Sequence, residues 1–197
     1  NKNTTFFSDG AAISFYPTKN LGCMGDGGAV ITNNEKFADK VKLFRNYGSI
    51  KKYQHSIKGF NSRLDEIQSA ILRVKLKYLD AMNNKRNEIA KYYLNNLDKT
   101  KLILPINQKD SERVWHLFVI RTKKRDYLQK KLYELGIETI IHYPTPAHKQ
   151  KCYRNFKFQP LPITENICSE ILSLPLYPNM PRYDYEYVAS KVNQYSK

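Results

Sequence analysis

Lys19 stands out as an amine that is placed to do chemistry. It follows an apolar, strand-like run by a few residues and lies in a tight turn (SFYPTKNLG, residues 14–22) that leads to a glycine-rich segment (GDGG, residues 25–28). A lysine held close to apolar walls has a lowered pKa, and its amine is then available as a nucleophile. On residue type alone a solvated loop lysine is the simpler interpretation, because the chain has 33 basic residues and most lysines lie on the surface.

Other polar side chains admit both a structural and a functional interpretation. Ser14 can be a small residue that packs on a strand, and Asn61 can be a turn residue before a helix. His142 ends a strand-like run, where a structural histidine is common. The adjacent Tyr143 and a second histidine on a loop, His148, make a functional role for His142 equally reasonable.

The elements around Lys19 predict a layered α/β arrangement. Two apolar runs, residues 11–16 and 29–32, flank the turn and predict two buried strands. A helix is predicted over residues 33–46, and a polar, tyrosine-containing loop follows over residues 46–60. The order strand, loop, strand, helix is typical of an α/β layer.

The second half of the chain predicts a long helical region and a small α+β domain. Ser62 is the expected helix cap, and apolar residues at three-to-four spacing indicate one long or two abutting helices to about Leu97. The remaining predicted elements are strands over residues 114–120 and 137–143, a helix over 125–135 that ends at Gly136, a short helix over 166–172 and a terminal amphipathic helix.

Composition restricts the class of protein. The chain has 197 residues, 41% hydrophobic residues and a net charge of +15, which is a globular composition with a basic surface. Three cysteines without paired spacing suggest neither a disulfide framework nor a metal site, and no apolar run approaches the roughly 20 residues of a membrane span. We therefore expect a soluble, cytoplasmic protein without a membrane association. Taken alone, the charge allows nucleic acid, an acidic membrane surface or a phosphate-bearing small molecule as partner.

Several ordered blocks resemble the DegT/DnrJ/EryC1/StrS family of sugar aminotransferases, which are pyridoxal 5'-phosphate enzymes of fold type I. The turn around Lys19 is similar to the segment of that family that carries the cofactor lysine. Further similar blocks cover most of the chain: RNYGS (45–49), GFNSRLDEIQ (59–68), IHYP (141–144) and SLPLYP (173–178). The resemblance implies the C-terminal part of a fold-type I α/β aminotransferase. Its parts would be the end of the cofactor domain (1–60), a connecting long helix (61–100) and a small α+β domain (101–197).

The resemblance also implies roles for individual residues. Lys19 would be the Schiff-base lysine that, once released, moves a proton between the substrate α-carbon and the cofactor's C4′. Ser14 would contact the cofactor phosphate, and Asn61 would reach the phosphate of the neighbouring subunit's cofactor in a homodimer with shared sites. Tyr16, His142 and Tyr143 would lie near the hexose.

The implied reaction is the transamination of a nucleotide-linked keto-sugar, with glutamate as amino donor. The blocks look most like enzymes that aminate C3 of dTDP-3-keto-6-deoxyhexoses, for deoxyaminosugars of surface polysaccharides such as lipopolysaccharide. Lysine at position 19 favours transamination, since some family members are dehydrases with histidine there. Two alternatives differ in class: a non-catalytic, truncated homologue with a structural or regulatory role, and a basic nucleic-acid-binding protein with loop tyrosines between lysines.

One part of the family pattern is expected upstream of Lys19. The resemblance places the cofactor's phosphate loop, the aromatic residue that stacks on its ring and the aspartate that pairs with its pyridine nitrogen before the lysine. That aspartate normally precedes the lysine by more than the 18 residues present here. Asp9 has the wrong surrounding sequence for that aspartate. We therefore expect the 197-residue chain by itself to be inactive.

Overall fold

The computed structural model describes residues 7–106 and 113–196, and the chain divides into two compact units, Asn1–Asp80 and Ala81–Lys197. The strands are β1 (Ala11–Ser14), β2 (Gly28–Ile31), β3 (Ser49–Lys51), β4 (Gln54–His55), β5 (Phe118–Arg121) and β6 (Ile171–Leu174). The helices are α1 (Glu35–Arg45), α2 (Glu66–Leu76), α3 (Leu79–Asn96), α4 (Arg125–Glu134), α5 (Pro162–Glu170) and α6 (Arg182–Tyr195). No helix in the described ranges has the length and apolar character needed to cross a bilayer.

The first unit begins with an antiparallel hairpin. β1 pairs with β2 from Ala11 opposite Ile31 to Ser14 opposite Gly28. Both strands were predicted, but the prediction that they are buried is wrong: every residue of β2 is exposed, and β1 alternates between partly buried and exposed. Among the described residues these strands pair only with each other, so no further strands enclose them.

Helix α1 confirms the helix that was predicted over residues 33–46. The side chain of Asn34 accepts a hydrogen bond from the backbone N–H of Phe37 at 3.1 Å, which satisfies one of the helix's unpaired first-turn donors. The predicted loop after α1 contains a short hairpin, β3 and β4.

The predicted helix cap at Ser62 is wrong. The helix begins at Glu66 with Asp65 in the capping position, because Ser62 is held in the loop by a hydrogen bond from its N–H to the Arg45 carbonyl at 2.9 Å. The helical region then consists of two abutting helices, one of the two predicted alternatives. The break falls at residues 77–78, where the backbone N–H groups donate to the carbonyl three residues earlier and not four.

The second unit is built on a buried antiparallel pair, β5 and β6, with Phe118 opposite Leu174 and Arg121 opposite Ile171. Both predicted strands need correction. The one over 114–120 covers only Phe118–Arg121, and the one over 137–143 is reduced to a single bridge between Ile140 and Ser173. The helix predicted over 166–172 is α5 followed directly by β6, since a short apolar run fits either structure until its partner is known.

The core of the second unit joins α3, α4, α6 and the β5–β6 pair. Tyr93 of α3 is fully buried, with its ring centroid 5.0 Å from that of Phe118. Its hydroxyl donates to the Pro175 carbonyl at 3.0 Å, and burial raises its pKa. Helix α4 ends as predicted at Gly136, whose φ of +77° a glycine adopts without strain.

Candidate active site

Lys19 lies at the tip of a closed loop between β1 and β2. At the neck of the loop, the N–H of Phe15 donates to the Gly27 carbonyl and the N–H of Cys23 donates to the Phe15 carbonyl, both at 2.8 Å. The turn itself is held by a hydrogen bond from Lys19 N to the Tyr16 carbonyl at 2.8 Å. Lys19 is partly buried. The predicted tight turn is confirmed, and it fixes the backbone from which the amine projects.

Gly22 is required by the close approach of the two arms of this loop. A Cβ atom at this position would lie 2.5 Å from the Pro17 carbonyl oxygen and 2.8 Å from that of Tyr16. Both are backbone atoms, so a larger residue must displace one arm from the other.

Helix α2 contributes two contacts to the same loop that sequence reasoning missed. Gln68 Oε1 accepts a hydrogen bond from Met24 N at 2.7 Å, and Lys75 Nζ donates to the Gly22 carbonyl at 2.5 Å. The backbone partners carry no sequence signal. The one available clue is the spacing of seven residues, which places Gln68 and Lys75 on one helix face.

Ser14 and Tyr16 are brought to the same loop as Lys19. Ser14 is the last residue of β1, and its exposed hydroxyl accepts a hydrogen bond from Tyr16 N at 3.3 Å. The Tyr16 side chain is 51% exposed. The three residues therefore form a short segment with an amine, an accessible hydroxyl and a phenol.

Asn61 lies in the segment before α2. It is exposed, bridges to Asn46 in antiparallel pairing and lines an open cavity of about 680 Å³, whose walls also include Arg63 and, from the β1–β2 hairpin, Ile13 and Gly28. Neither Ser14 nor Lys19 lines that cavity. The preceding Gly59 packs closely on the end of α1 and the residues after it, where an added Cβ would collide with backbone atoms of Phe44, Tyr47 and Gly48.

His142 and Tyr143 belong to the second unit. The Nδ1 atom of His142 lies 2.9 Å from the hydroxyl oxygen of the buried Ser173 on β6, and its ring contacts that of Tyr143 edge-on at 5.6 Å. Tyr143 is 70% exposed. Ser173 thus fixes the orientation of the histidine and leaves the tyrosine accessible.

The second histidine, His148, is held by a carboxylate. Its Nε2 atom lies 3.1 Å from Glu165 Oε1, and Lys149 Nζ binds the other carboxylate oxygen at 2.5 Å. The hydrogen bond from Lys149 has the largest effect on the pKa of Glu165 and the hydrogen bond from His148 the next largest. Together they lower this pKa to about 2. His148 therefore ties the loop after Tyr143 to α5. In the part of the chain that is described, no cluster of histidine, cysteine and acidic side chains could hold a metal ion.

Comparison with known proteins identifies the family. The DegT/DnrJ/EryC1/StrS aminotransferase family matches residues 1–193. The chain belongs to this family. The family resemblance that the sequence suggested is thereby confirmed, and the family's aminotransferases depend on pyridoxal phosphate.

Individual members of the family match at high identity. The dTDP-3-amino-3,6-dideoxy-alpha-D-galactopyranose transaminase of Aneurinibacillus thermoaerophilus is 50% identical over 194 residues, which cover 98% of this chain and 53% of that protein. The crystal structure of DesV from S. venezuelae in complex with a ketimine intermediate is 43% identical with a TM-score of 0.91, over 95% of this chain and 52% of DesV. The structure of ntda from Bacillus subtilis with bound cofactor pmp is 33% identical with a TM-score of 0.89, over 98% of this chain and 47% of ntda.

These matches establish part of the α/β fold of fold-type I sugar aminotransferases, as the sequence predicted. The chain spans about half the length of the curated relatives it matches.

The residues of the Lys19 loop fit pyridoxal phosphate chemically. A primary amine at the tip of a closed loop can bind the cofactor's aldehyde carbon, and the exposed hydroxyl of Ser14 at the end of β1 can donate to a phosphate oxygen. Gly22, whose carbonyl accepts from Lys75, keeps the two arms of this loop close together.

Proposed function

We propose that this chain forms part of a pyridoxal-phosphate-dependent transaminase that aminates a nucleotide-linked keto-sugar. The observation that carries the proposal is the position of Lys19 at the tip of a closed loop, in a chain of an aminotransferase family. Lysine at this position supports transamination, because the chemistry needs an amine that can be attached and released.

The proposed roles follow from the chemistry of each side chain. Lys19 Nζ holds the cofactor covalently and, once released, moves a proton between the substrate α-carbon and the cofactor's C4′. The hydroxyl of Ser14 binds the cofactor phosphate. When bound, pyridoxal phosphate supplies the electron sink for the negative charge that develops at the α-carbon.

We propose dTDP-3-keto-6-deoxyhexose as the sugar substrate and glutamate as the amino donor, in deoxyaminosugar biosynthesis. The name of the Aneurinibacillus relative supports a dTDP-linked 3-amino-6-deoxyhexose product. Tyr16, His142 and Tyr143 are the proposed contacts to the hexose. The high exposure of Tyr143 and the fixed orientation of His142 on Ser173 suit such contacts.

We further propose a cytoplasmic homodimer with shared active sites. Asn61 is the proposed contact to the partner's cofactor, because its amide is exposed and lines an open cavity that a ligand can enter. The division into a cofactor-domain remnant, a connecting helix and a small domain (1–60, 61–100, 101–197) stays a prediction.

Turnover by the full-length native protein tests the proposal. With glutamate as donor, we expect amination of dTDP-3-keto-6-deoxyhexose and complete loss of turnover in Lys19→Ala. Lys77→Ala, which removes an exposed lysine of the same unit, should retain wild-type turnover. Amination of a UDP-linked keto-sugar in preference to the dTDP-linked one would contradict the substrate assignment. Turnover in Lys19→Ala would contradict the mechanism, and a folded wild type without turnover on any keto-sugar would favour the non-catalytic alternative.

A further inference from the structure

One face of α2 contacts the returning arm of the Lys19 loop, which is the segment from Gly22 to Gly27 that leads into β2. Lys75 Nζ donates to the Gly22 carbonyl at 2.5 Å, and Gln68 Oε1 accepts from Met24 N at 2.7 Å. The two side chains are seven residues apart, so they lie on the same helix face about 10 Å from each other along the axis. Together they hold the backbone groups on both sides of Cys23.

The two arms of the loop are anchored differently. The outgoing arm continues β1 and is fixed by the pairing of that strand with β2. The returning arm has no strand to hold it between Gly22 and Gly27. There the backbone depends on the hydrogen bonds at Cys23 and Gly27 and on the two contacts from α2.

Both helix side chains are partly withdrawn from solvent at these contacts. Gln68 and Lys75 are partly buried, whereas most residues of α2 near them are exposed. A lysine ammonium is strongly hydrated and normally stays in water, so a partly buried lysine that donates to a backbone carbonyl gives up solvation for that contact. Hydrogen bonds from a charged donor are about twice as strong as neutral ones, so the Lys75 ammonium restrains the Gly22 carbonyl more than a neutral donor would.

We propose that Lys75 and Gln68 are positioning residues that set where Lys19 presents its amine. The inference rests on the proposed function of Lys19 and extends it to α2. Gly22 is three residues after Lys19 and closely opposes the backbone of Tyr16 and Pro17. A shift of the Gly22 carbonyl is therefore transmitted directly to the turn that carries Lys19. Lys75 and Gln68 act through the loop and not on the reacting atoms.

The test compares variants that remove each contact with variants that keep it, in the full-length native protein. Lys75→Met removes the donor and preserves the length of the side chain, while Lys75→Arg keeps a donor. Gln68→Leu removes the acceptor, while Gln68→Glu keeps an oxygen for Met24 N. Lys77→Met is the matched control, since Lys77 is an exposed lysine two residues further along.

Three readouts separate positioning from general stability. They are the rate at which added pyridoxal phosphate becomes fixed to Lys19 by borohydride, the pH midpoint of the lysine-bound cofactor's visible band, and kcat against the KM for the keto-sugar. We expect Lys75→Met and Gln68→Leu to slow the fixation and lower kcat by about 10- to 100-fold, because small misplacements of a reacting group have effects of that size. The pH midpoint should shift, and KM should stay within about twofold.

The conservative variants decide between outcomes. Recovery of the fixation rate, kcat and pH midpoint in Lys75→Arg and Gln68→Glu supports the inference. If Lys75→Met does not fold, the comparison of Gln68→Leu with Gln68→Glu still tests it. If Lys75→Met and Gln68→Leu fold and match Lys77→Met in all three readouts, the inference is overturned while the proposed function stands. If wild-type protein itself fixes no cofactor at Lys19, the proposed function is overturned and this inference with it.

Discussion

Replacing Gly22 with alanine should move Lys19 without touching it. The new Cβ would lie 2.5 Å from the Pro17 carbonyl oxygen, where ordinary van der Waals contact begins near 3.4 Å. The two arms of the loop must therefore separate by about 0.9 Å. Because the opposing atoms belong to the backbone, no side-chain rotation can relieve the overlap.

The size of the expected effect follows from that displacement. Overpacking of this kind costs about 1–3 kcal/mol of folding free energy, so Gly22→Ala should remain folded in a protein of ordinary stability. A misplacement of about 1 Å at a reacting group can cost about 100-fold in rate. We therefore expect kcat to fall by about 10- to 100-fold, with a much smaller change in stability.

Steady-state transamination and thermal unfolding of the full-length native protein measure the two effects. Gly136→Ala is the matched control: its Cβ meets nothing within 4 Å, but its φ of +77° imposes strain of about 1 kcal/mol. It should lose stability and retain the wild-type kcat. A folded Gly22→Ala variant with the wild-type kcat would refute the argument that the closed loop positions Lys19.

Three further predictions concern the second unit. Arg86 is buried and donates to three backbone carbonyls, so Arg86→Met should cost about 3 kcal/mol of unfolding free energy, and a loss below about 1 kcal/mol in denaturant titrations would contradict this. Glu165 has a folded pKa of about 2 against 4.5 ordinarily, so its stabilisation is complete above pH 4.5 and is lost as the pH falls toward 2. Glu165→Gln should weaken the dependence of the unfolding free energy on pH between about 4.5 and 2. An unchanged pH dependence in this range would contradict the Lys149 contact. Ser173→Ala should raise the KM for the keto-sugar about fivefold by releasing His142; an unchanged KM would remove His142 from the substrate contacts.

Local signals in the sequence predicted the elements that local contacts determine. The start of α1 was predictable because Asn34 caps it through a residue three positions away, and the end of α4 because Gly136 adopts a positive φ. The start of α2 was missed, since a hydrogen bond to the end of α1 holds Ser62 outside the helix. β6 was mistaken for part of a helix because its strand structure depends on β5, about 50 residues earlier in the chain.

The candidate site shows the same division between local and distant information. The placement of Lys19, Ser14 and Tyr16 in one loop was predictable because one continuous segment carries them. The contacts of Gln68 and Lys75 were not, because they join side chains to backbone groups more than 40 residues away. The orientation of His142 by Ser173 depends likewise on a partner 31 residues away.

Locating the covalently bound cofactor tests whether Lys19 holds it. Full-length native protein, loaded with pyridoxal phosphate and reduced with borohydride, should lose its visible absorbance band and carry the reduced cofactor on the peptide that contains Lys19. Lys19→Ala should show neither the band nor the modified peptide. A modified peptide that contains another lysine, or a wild-type protein without any fixed cofactor, would contradict the assignment of Lys19.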